Sequence, residues 1–529
     1  MSNYACPKCG GNLRKNGAAG SGRTRWVCRA GSGAREFCYS TTNPEALEPR
    51  KRNGRSQTVP VFTRTLGKKT ERFIITAAQN ATPVHPGFMR ALKQACEHLS
   101  AELLVIPLRY KNPTSRWATS QANDEIWAPE LVPYLFNRRL ALNRNLVVLG
   151  DVKTQPTAVS PLTGFEAITA GESCILGHTK LQLKSVPTPQ SKFPKLMTTT
   201  GACTVRNYTD TKTGKIGEFH HVLGAAMVEV RGKIFHLRQL NADKAGSFYD
   251  LDKQYGVDWM DSGVADSSGL AALSMGDTHV RSIDPKVRHA TFGPEGIVEI
   301  LKPKALVYHD LLDGYSVNHH HLGNPFIHYA KGMSGAHNVK AEVLEAIAFV
   351  LTNLKAGREA YVVDSNHNEF FSRWVMETDW RTADPVNKEF YLETALAMLR
   401  QSTCDSSGTS YPSAFEHWLK TLTEGVDGLH YVGSNDSLEL AGIEHGMHGD
   451  RGPNGARGSI KNLRRIGVKS NIGHSHSPGI EEGCYQAGTS TYLRLEYNKG
   501  VSSWLNTHIA TYLNGKRTLI NIINGEWRL

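Results

Sequence analysis

Five short apolar runs in the second half of the chain each end in histidine, aspartate or asparagine, and this pattern restricts the fold more than any other feature. Short apolar runs bounded by loops predict buried strands. Parallel strands end at the same edge of a sheet, so the polar residues that follow them can meet in one site. The polar residues that follow the five runs are Asp277 and His279, Asp310, Asn366 and His367, His445, and His474 and His476. The pattern predicts an α/β fold with a site at one edge of a sheet.

These residue types together are typical of a divalent metal site. Carboxylate, imidazole and amide groups suit Mn, Fe, Zn or Mg, and one carboxylate can bridge two ions. Asp277 and His279 are two residues apart, so an extended backbone directs both side chains to the same side. A single histidine at a strand end is more often a hydrogen-bonded structural group than a ligand. Five such places in order favour a metal centre.

The order of the motifs resembles the calcineurin-like metallophosphoesterase superfamily over about residues 270–500. That superfamily has Asp-x-His, Gly-Asp-x-x-Asp, Gly-Asn-His-Asp/Glu, a strand-end His, and Gly-His-x-His. The resemblance implies a β-sandwich flanked by helices and two divalent ions, with Mn favoured over Mg, Fe or Zn. It assigns Asp277, His279 and His476 to the first ion, Asp310 to a bridging position, Asn366, His445 and His474 to the second ion, and His367 to the leaving oxygen, which it would protonate or steady.

The second and third motifs depart from the superfamily pattern. His309 stands where glycine is usual, and residues 365–368 lack both the glycine and the following acid. Asp364 or Glu369 is a candidate for the missing carboxylate. A partner of this kind orients a catalytic histidine, so its absence would change the orientation of the imidazole.

Other assignments keep two alternatives. His448 competes with His445 as the strand-end ligand, and we favour His445 because it directly ends the apolar run. The run Asn318–His321 either reaches a substrate phosphate or lies in an exposed loop without a ligand role. Arg457 and Arg464 in the glycine-rich stretch before the last motif either grip phosphates or belong to a solvated basic loop.

Positive charge is concentrated at the start of the chain. Residues 1–72 carry 15 Lys and Arg against four Glu, a net charge of +11 out of +12 for all 529 residues. Residues 1–43 contain four clustered cysteines, Cys6, Cys9, Cys28 and Cys38. Their spacing resembles a zinc ribbon, and so short a segment needs a structural zinc ion to fold. Nine residues separate the last two cysteines, where a ribbon usually has two to four, so four unconnected thiols are the alternative.

The basic start of the chain predicts contacts with nucleic acid. Residues 44–71 lack hydrophobic periodicity and predict a flexible basic linker. Basic side chains around an aromatic ring suit a phosphate backbone and one stacked base. The candidate contacts are Arg23, Arg25, Trp26, Lys51 and Arg52. A solvated basic surface or a protein-docking module is the alternative.

Residues 72–265 predict a middle α/β or α+β domain without a recognisable motif. A strand, helix, strand unit begins it, and its candidate groups, Asp151, Cys174, His178 and His220–His221, have no spacing that requires catalysis. We therefore expect a scaffold, a substrate platform or a contact in a homo-oligomer. Residues 266–529 form the predicted metallophosphoesterase domain.

Composition narrows the functional class. Hydrophobic residues make up 40% and charged residues 21% of the chain, as in globular proteins. The sequence has neither a signal-peptide core nor an apolar run of about 18 residues, so we expect no membrane insertion and a cytoplasmic protein, in the host cell if it is phage-encoded.

Two-metal chemistry with a basic arm predicts a DNA nuclease. The alternatives are a phosphatase that acts on a small molecule or phosphoprotein, and a DNA-binding or assembly protein with a degenerate metal site. The overall arrangement also resembles phage early proteins that degrade or manage DNA at infection.

Overall fold

The computed structural model describes residues 13–18, 23–28, 39–41, 71–109, 127–258, 260, 262–321, 323–406 and 408–529. The chain divides into two compact units, Met1–Pro60 and Val61–Leu529. The first contains an antiparallel sheet in the order β1-β2-β3. Its strands are β1 (Arg14–Ala18), β2 (Thr24–Cys28) and β3 (Tyr39–Thr41).

Most of the predicted zinc site lies outside this description. Cys28 is buried at the end of β2. Cys6, Cys9 and Cys38 lie outside the described residues. The zinc ribbon therefore stays a prediction.

The first half of the larger unit combines short strands with two helices. Its elements are β4 (Arg72–Gln79), α1 (Pro86–Leu99), β5 (Glu102–Leu108), β6 (Arg139–Asn143), β7 (Leu146–Leu149), β8 (Ser173–Leu176), β9 (Gln182–Val186), β10 (Thr188–Pro189), β11 (Lys195–Thr199), α2 (Lys212–His220), β12 (Gly224–Arg231), β13 (Ile234–Asn241), β14 (Phe248–Asp250), β15 (Lys253–Tyr255) and β16 (Val264–Asp266). The order β4, α1, β5 is the strand, helix, strand unit that the sequence predicts.

Helix α1 shows why this unit forms. Its N-terminus is capped by His85, whose ring accepts a hydrogen bond from the N–H of Phe88 at 3.1 Å. Pro86 occupies the first helical position, where the missing N–H has no helical partner to lose. Phe88 and Leu92, one helical turn apart, are buried against the four-stranded sheet β13-β12-β4-β5.

The second half of the larger unit carries most of the helices. Its elements are β17 (Leu270–Ser274), α3 (Pro285–Phe292), α4 (Ile297–Leu301), β18 (Ala305–Tyr308), α5 (Pro325–Ser334), α6 (Val339–Asn353), β19 (Glu359–Val363), α7 (Asn366–Glu377), α8 (Lys388–Gln401), β20 (Thr403–Asp405), β21 (Gly408–Ser410), α9 (Ala414–Leu422), β22 (Leu429–Val432), β23 (Glu439–Leu440), β24 (Ile443–Glu444), α10 (Ile460–Leu463), β25 (Ser470–Ile472), β26 (Gly479–Glu481), β27 (Cys484–Gln486), β28 (Val501–Ser502), β29 (Thr507–Tyr512) and β30 (Arg517–Asn521).

A six-stranded sheet positions the site. Its order is β22-β19-β18-β17-β29-β30, in which the first four strands are mutually parallel and the last two are antiparallel. Leu273 and Leu306 on one face share a buried core with helices α3, α4 and α6–α9. Val307 on the opposite face packs with Leu440 of a second sheet and with Leu438, which immediately precedes that strand. Helices therefore cover one face of this sheet, and another sheet covers the other.

The second sheet has ten strands in the order β23-β24-β25-β27-β26-β9-β11-β8-β7-β6. Strand β9 of the first half pairs antiparallel with β26 of the second half. The fold is thus mixed α/β with several sheets and helices. A domain boundary near residue 265 stays a prediction. Strands from both sides of this position belong to the same ten-stranded sheet.

A buried ionic network joins β12, β13 and β14. Arg238 lies with Nη1 2.5 Å from Glu229 Oε2 and Nε 2.5 Å from Asp250 Oδ1. Glu229 also accepts from Arg72 Nε at 3.2 Å. Burial alone would raise the pKa of Glu229, but Arg238 holds that pKa below its ordinary value. The network is stable because each buried charge has hydrogen-bonded partners of opposite sign.

Replacing Arg238 should therefore destabilise the protein. We expect Arg238→Met to reduce the free energy of unfolding by about 3–5 kcal/mol at neutral pH, because it leaves two carboxylates buried without their cation. The folded pKa of Glu229 is depressed, so its stabilising contribution is present above the unfolded pKa of about 4.3 and is lost as pH falls. Thermal unfolding followed by circular dichroism should show a smaller difference in midpoint between the wild type and Arg238→Met at pH 4 than at pH 7.

Arg231 offers the matched control. It pairs with Glu526, and both side chains are about half exposed. An exposed pair contributes about 0–1 kcal/mol, so Arg231→Met should change the midpoint little. Equal midpoints for Arg238→Met and Arg231→Met would contradict the structural role of the network.

Candidate metal centre

Two adjacent loops carry the acidic residues of the site. Asp277 and His279 follow β17, and Asp310 follows β18. The N–H of Thr278 donates to the carbonyl of His309 at 2.9 Å, and the N–H of His279 donates to that of Asp310 at 2.7 Å. His279 and Asp310 have φ of 40° and 43°. Residues other than glycine rarely adopt this left-handed backbone conformation. It persists only where the surrounding structure holds it, and it is often found at functional sites.

Asp277, His279, Asp310 and His476 form a buried cluster. The Nε2 of His279 lies 3.1 Å from His476 Nε2 and 3.5 Å from Asp310 Oδ2. The Nε2 of His476 lies 3.3 Å from Asp277 Oδ2. One ligand atom from each of the four residues lies within 4.8 Å of the others, so the group could hold a metal ion.

A second set of side chains lies next to Asp310. The Nε2 of His448 is 3.1 Å from Asp310 Oδ2, and the rings of His448 and His474 are 5.3 Å apart. The Nδ1 of His474 lies 3.1 Å from Asn366 Oδ1. Asn366 opens helix α7, which is capped by the side chain of Ser365. The structure therefore brings His448 next to Asp310, His474 next to His448, and Asn366 next to His474.

Of the two histidines that the sequence offers for the strand-end ligand, the structure gives His448, and not the favoured His445, a contact with Asp310. His445 is buried, with Nδ1 hydrogen-bonded to Ser274 Oγ at 2.9 Å. His448 is the histidine that reaches Asp310, because three more residues carry the chain beyond the short strand β24. The N–H of Gly473 then donates to the carbonyl of His448 at 2.7 Å, which holds His448 beside the loop of the last motif.

His367 lies at the edge of the cluster. Its ring centre is 4.5 Å from that of His279, and its Nδ1 hydrogen-bonds to the backbone carbonyl of Asp313. The Asp313 carboxylate accepts from Ser282 Oγ at 2.5 Å, and its Oδ1 is 3.7 Å from His279 Nδ1. His279, Asp313 and His367 form another group that could hold a metal ion. Sequence reasoning missed Asp313, although its position three residues after Asp310 fits the quoted Asp-x-x-Asp motif.

Neither candidate for the missing carboxylate faces His367. Asp364 accepts hydrogen bonds from the hydroxyls of Tyr431 and Ser434, and Glu369 pairs with Arg451. Both carboxylates therefore have other partners. Of the two alternatives that the sequence left open, a replacement carboxylate or none, these contacts agree with none.

His309 stands where the second motif usually has glycine, and Gly473 leaves the space that its side chain needs. The His309 ring is fully buried, 5.7 Å from the ring of His448. A Cβ on Gly473 would lie 2.2 Å from Asp277 Oδ1 and 3.0 Å from His309 Cβ. Gly473 is therefore required for the close approach of the last motif to the first two.

The electrostatics of the cluster are set by burial and by contact among its members. Burial raises the pKa of Asp277 to about 8, and nearby Asp310 adds to this rise. Burial and His367 lower the pKa of His279 to about 3, while burial and His279 lower that of His476 well below its ordinary range. Neutral imidazole is the form that binds metal ions.

Asp310 and His448 behave as an ion pair. Burial disfavours both charges, but the contact between them lowers the pKa of Asp310 well below its usual value and raises that of His448 to about 9. No lysine or arginine takes part in this contact among the residues described. The negative charge of Asp310 is thus compensated only by groups that can also bind a metal.

The donor atoms fit a metal ion. Buried atoms of the cluster without a hydrogen-bond partner in the described part of the chain include Asp277 Oδ2, Asp310 Oδ1 and His448 Nε2. Buried polar atoms are nearly always hydrogen-bonded, so a convergent set of unsatisfied ligand atoms requires an explanation. A bound metal ion supplies one, because carboxylate oxygen and imidazole nitrogen are its usual ligands.

The two arginines that were predicted to bind phosphates before the last motif, Arg457 and Arg464, have different surroundings. Arg464 is largely buried and lies 3.3 Å from Glu481 and 3.5 Å from Glu482, so its charge is already neutralised. Arg457 is exposed in the loop that precedes α10. Nothing in this geometry assigns either residue to a nucleic acid.

The predicted contacts at the start of the chain are described only in part. Arg23 is exposed, Arg25 lies in β2, and Trp26 is half-buried with Lys15 Nζ 5.5 Å from its ring centre. Lys51 and Arg52 lie outside the described residues. Their contacts with nucleic acid stay predictions.

Two aromatic residues beside the cluster were missed by sequence reasoning. The ring of Trp504 is 4.1 Å from that of His476, and Tyr497 is 5.7 Å from Trp504. Trp504 is half-buried, whereas Tyr497 is exposed. Both residues follow the last motif in a segment without a metal-ligand pattern, so the sequence offered only their aromatic character.

The two buried histidines His445 and His448 give a direct test of the ligand set. We expect His448→Gln to weaken Mn²⁺ binding at least about tenfold, since even the outer partners of metal ligands contribute this much. His445→Gln is the matched control, because it also replaces a buried imidazole but one bonded to Ser274. Isothermal titration calorimetry with Mn²⁺ measures both. A greater loss in His445→Gln would contradict the assignment of His448.

Comparison with known proteins shows the family. No helix of the described residues is long and apolar enough to cross a membrane. No protein-family model matches the chain, and no solved structure matches it. The chain is 32% identical over 472 residues to "Protein A1" of Escherichia phage T5, a match that covers 87% of this chain and 83% of that protein. The chain therefore belongs to the family of Protein A1 of Escherichia phage T5.

Proposed function

We propose that the chain is a two-metal phosphodiesterase that cleaves DNA. The observation that carries this proposal is the buried set of unsatisfied carboxylate and imidazole atoms where three parallel strands end. Its motifs follow the order of the calcineurin-like metallophosphoesterases, and two packed sheets with outer helices are compatible with a sandwich of that type. The relationship to a phage protein agrees with action in the cytoplasm of an infected cell.

The proposed ligand set uses the strand-end residues with one change. Asp310 Oδ2 contacts Nε2 of both His279 and His448, so this carboxylate would be the group shared by the two ions. The proposed ligands of the first ion are Asp277, His279 and His476, and those of the second ion are Asn366, His448 and His474. Mn²⁺ is the preferred ion, with Mg²⁺, Fe or Zn²⁺ as alternatives, because the donors are mixed nitrogen and oxygen groups. When bound, two such ions activate water and stabilise the charge on the equatorial phosphate oxygens.

His367 is the proposed general acid. Its Nδ1 bonds to the carbonyl of Asp313, so Nδ1 carries a proton and Nε2 is left to face the substrate. Protonation at Nε2 lets the ring donate to the leaving oxygen as the phosphorus–oxygen bond breaks. Phe370, 4.7 Å from the His367 ring, packs beside it and restricts its rotation.

DNA is the proposed substrate because of charge. Residues 1–72 carry nearly all the excess positive charge of the chain, and neutralising phosphates raises affinity for polynucleotides and accelerates association. The phosphatase alternative would leave this arm without a role in catalysis. Cleavage of a polynucleotide uses both the arm and the metal centre.

A cleavage assay tests the proposal. With added Mn²⁺, we expect the full-length protein to cut linear or circular double-stranded DNA and to hydrolyse bis(4-nitrophenyl) phosphate. Asp310→Asn should abolish both activities, because the amide cannot bridge two cations as the carboxylate does. Hydrolysis of the aryl ester with intact DNA would favour the phosphatase. Inactivity on both would favour the DNA-binding or assembly role.

The role of His367 has a separate signature. We expect His367→Ala to lower kcat on DNA by about 10²–10⁴, because the leaving sugar oxygen needs a proton. The same change should affect hydrolysis of bis(4-nitrophenyl) phosphate much less, since nitrophenolate leaves without protonation. Equal losses on the two substrates would contradict the general-acid role.

A further inference from the structure

A basic cavity of about 690 Å³ lies beside the metal centre. Five cations from five separate segments line it, namely Arg144, Lys192, Lys233, Lys286 and Arg494. Asp284 is the only acid among the described residues of its lining, and its carboxylate caps α3 through the N–H of Lys286 at 2.8 Å. The cavity thus combines strong positive charge with little compensating negative charge.

The cations are available to a ligand. All five side chains belong to exposed residues, and none forms an ion pair with an acid in the described part of the chain. Like charges gathered on one concave surface repel each other and attract polyanions. Their arrangement at a cavity mouth therefore indicates a phosphate-rich ligand.

The walls of the cavity are fixed by hydrogen bonds. The β6–β7 turn, which carries Arg144, is joined to the β12–β13 turn, which carries Lys233. Asn145 Nδ2 donates to the carbonyl of Lys233 at 2.7 Å, and Asn143 Nδ2 donates to that of Ile234 at 3.1 Å. The segment of residues 72–265 therefore supplies one wall of the cavity, and this gives it a role as a substrate platform.

Trp504 connects the cavity to the metal centre. It lines the cavity, and its ring is 4.1 Å from the ring of His476. The N–H of the next residue, Leu505, donates to the carbonyl of His476 at 3.2 Å. A ligand that occupies the cavity therefore lies one side chain away from the proposed ligands of the first ion.

We propose that this cavity binds the sugar-phosphate backbone of a single DNA strand and leads it to the metal centre, an inference that rests on the proposed nuclease function. A cationic groove with an aromatic side chain at one end suits single-stranded nucleic acid. The strand that is cut would then enter the cavity unpaired, from a separated end of linear DNA or a locally opened segment of circular DNA.

The experiment compares two triple variants of the full-length protein. The test variant carries Arg144→Gln, Lys192→Gln and Lys233→Gln. The control variant carries Lys244→Gln, Lys304→Gln and Arg400→Gln, which remove the same charge from exposed residues outside the cavity lining. Rates are measured with Mn²⁺ on a single-stranded oligonucleotide over a range of salt concentrations, and on bis(4-nitrophenyl) phosphate.

The test variant should lower kcat/KM on the oligonucleotide at least about tenfold at ~0.15 M salt, and reduce the slope of log(kcat/KM) against log[salt] by about 2, since each strand phosphate contact contributes about 0.7. Its rate on the aryl ester should equal that of the wild type, and the control variant should match the wild type on both substrates.

The outcomes separate this inference from the nuclease proposal. A wild type inactive on both substrates overturns the nuclease proposal and, with it, this inference. An active wild type whose salt slope is unchanged in the test variant overturns the cavity assignment alone. Equal loss on the aryl ester also overturns it, because the three cations would then support the metal centre and not the strand.

Discussion

The site depends on keeping the Asp310 carboxylate charged although it is buried. A buried carboxylate is costly unless partners of opposite sign surround it, and here imidazoles fill that role. His448 lies 3.1 Å away and His279 3.5 Å away, from two different loops. An arginine would neutralise the charge permanently, whereas an imidazole can lose its proton and bind a metal through the same nitrogen. The geometry around Asp310, including the left-handed backbone at Asp310 and His279, follows from bringing these exchangeable partners together.

The two halves of the large unit contribute unequally to this arrangement. The parallel strands β17, β18 and β19 place the first three motifs along one edge, as parallel sheets commonly do. The histidines of the last two motifs come from the ten-stranded sheet, which is completed by the pairing of β26 with β9. The middle segment therefore supports the last motif through the sheet as well as lining the basic cavity.

Most residues of the cluster could be predicted from the sequence, because an apolar run followed by a polar residue marks the end of a strand. Asp277, His279, Asp310, His474 and His476 each follow an apolar run, and the structure brings all five together. His448 was ranked below His445 because the apolar run gives no measure of how far the chain extends past its short strand. The β9–β26 pairing was missed for another reason. Contacts between residues about 300 positions apart leave no periodicity in either segment, so only the folded chain reveals them. Trp504 was missed because nothing in its own segment marks it as a neighbour of His476.

The departures in the third motif have a physical consequence for His367. A carboxylate partner would orient the imidazole and also place a negative charge beside it. Here the carbonyl of Asp313 orients the ring, while Asp364 bonds to Tyr431 and the acid after the motif, Glu369, pairs with Arg451. The ring is therefore oriented by a backbone carbonyl, while the Asp313 carboxylate belongs to the same group as His367 and His279. The loss of the acid after the motif thus leaves an anion near the imidazole, and the hydrogen bond from Nδ1 fixes the tautomer that leaves Nε2 free to act.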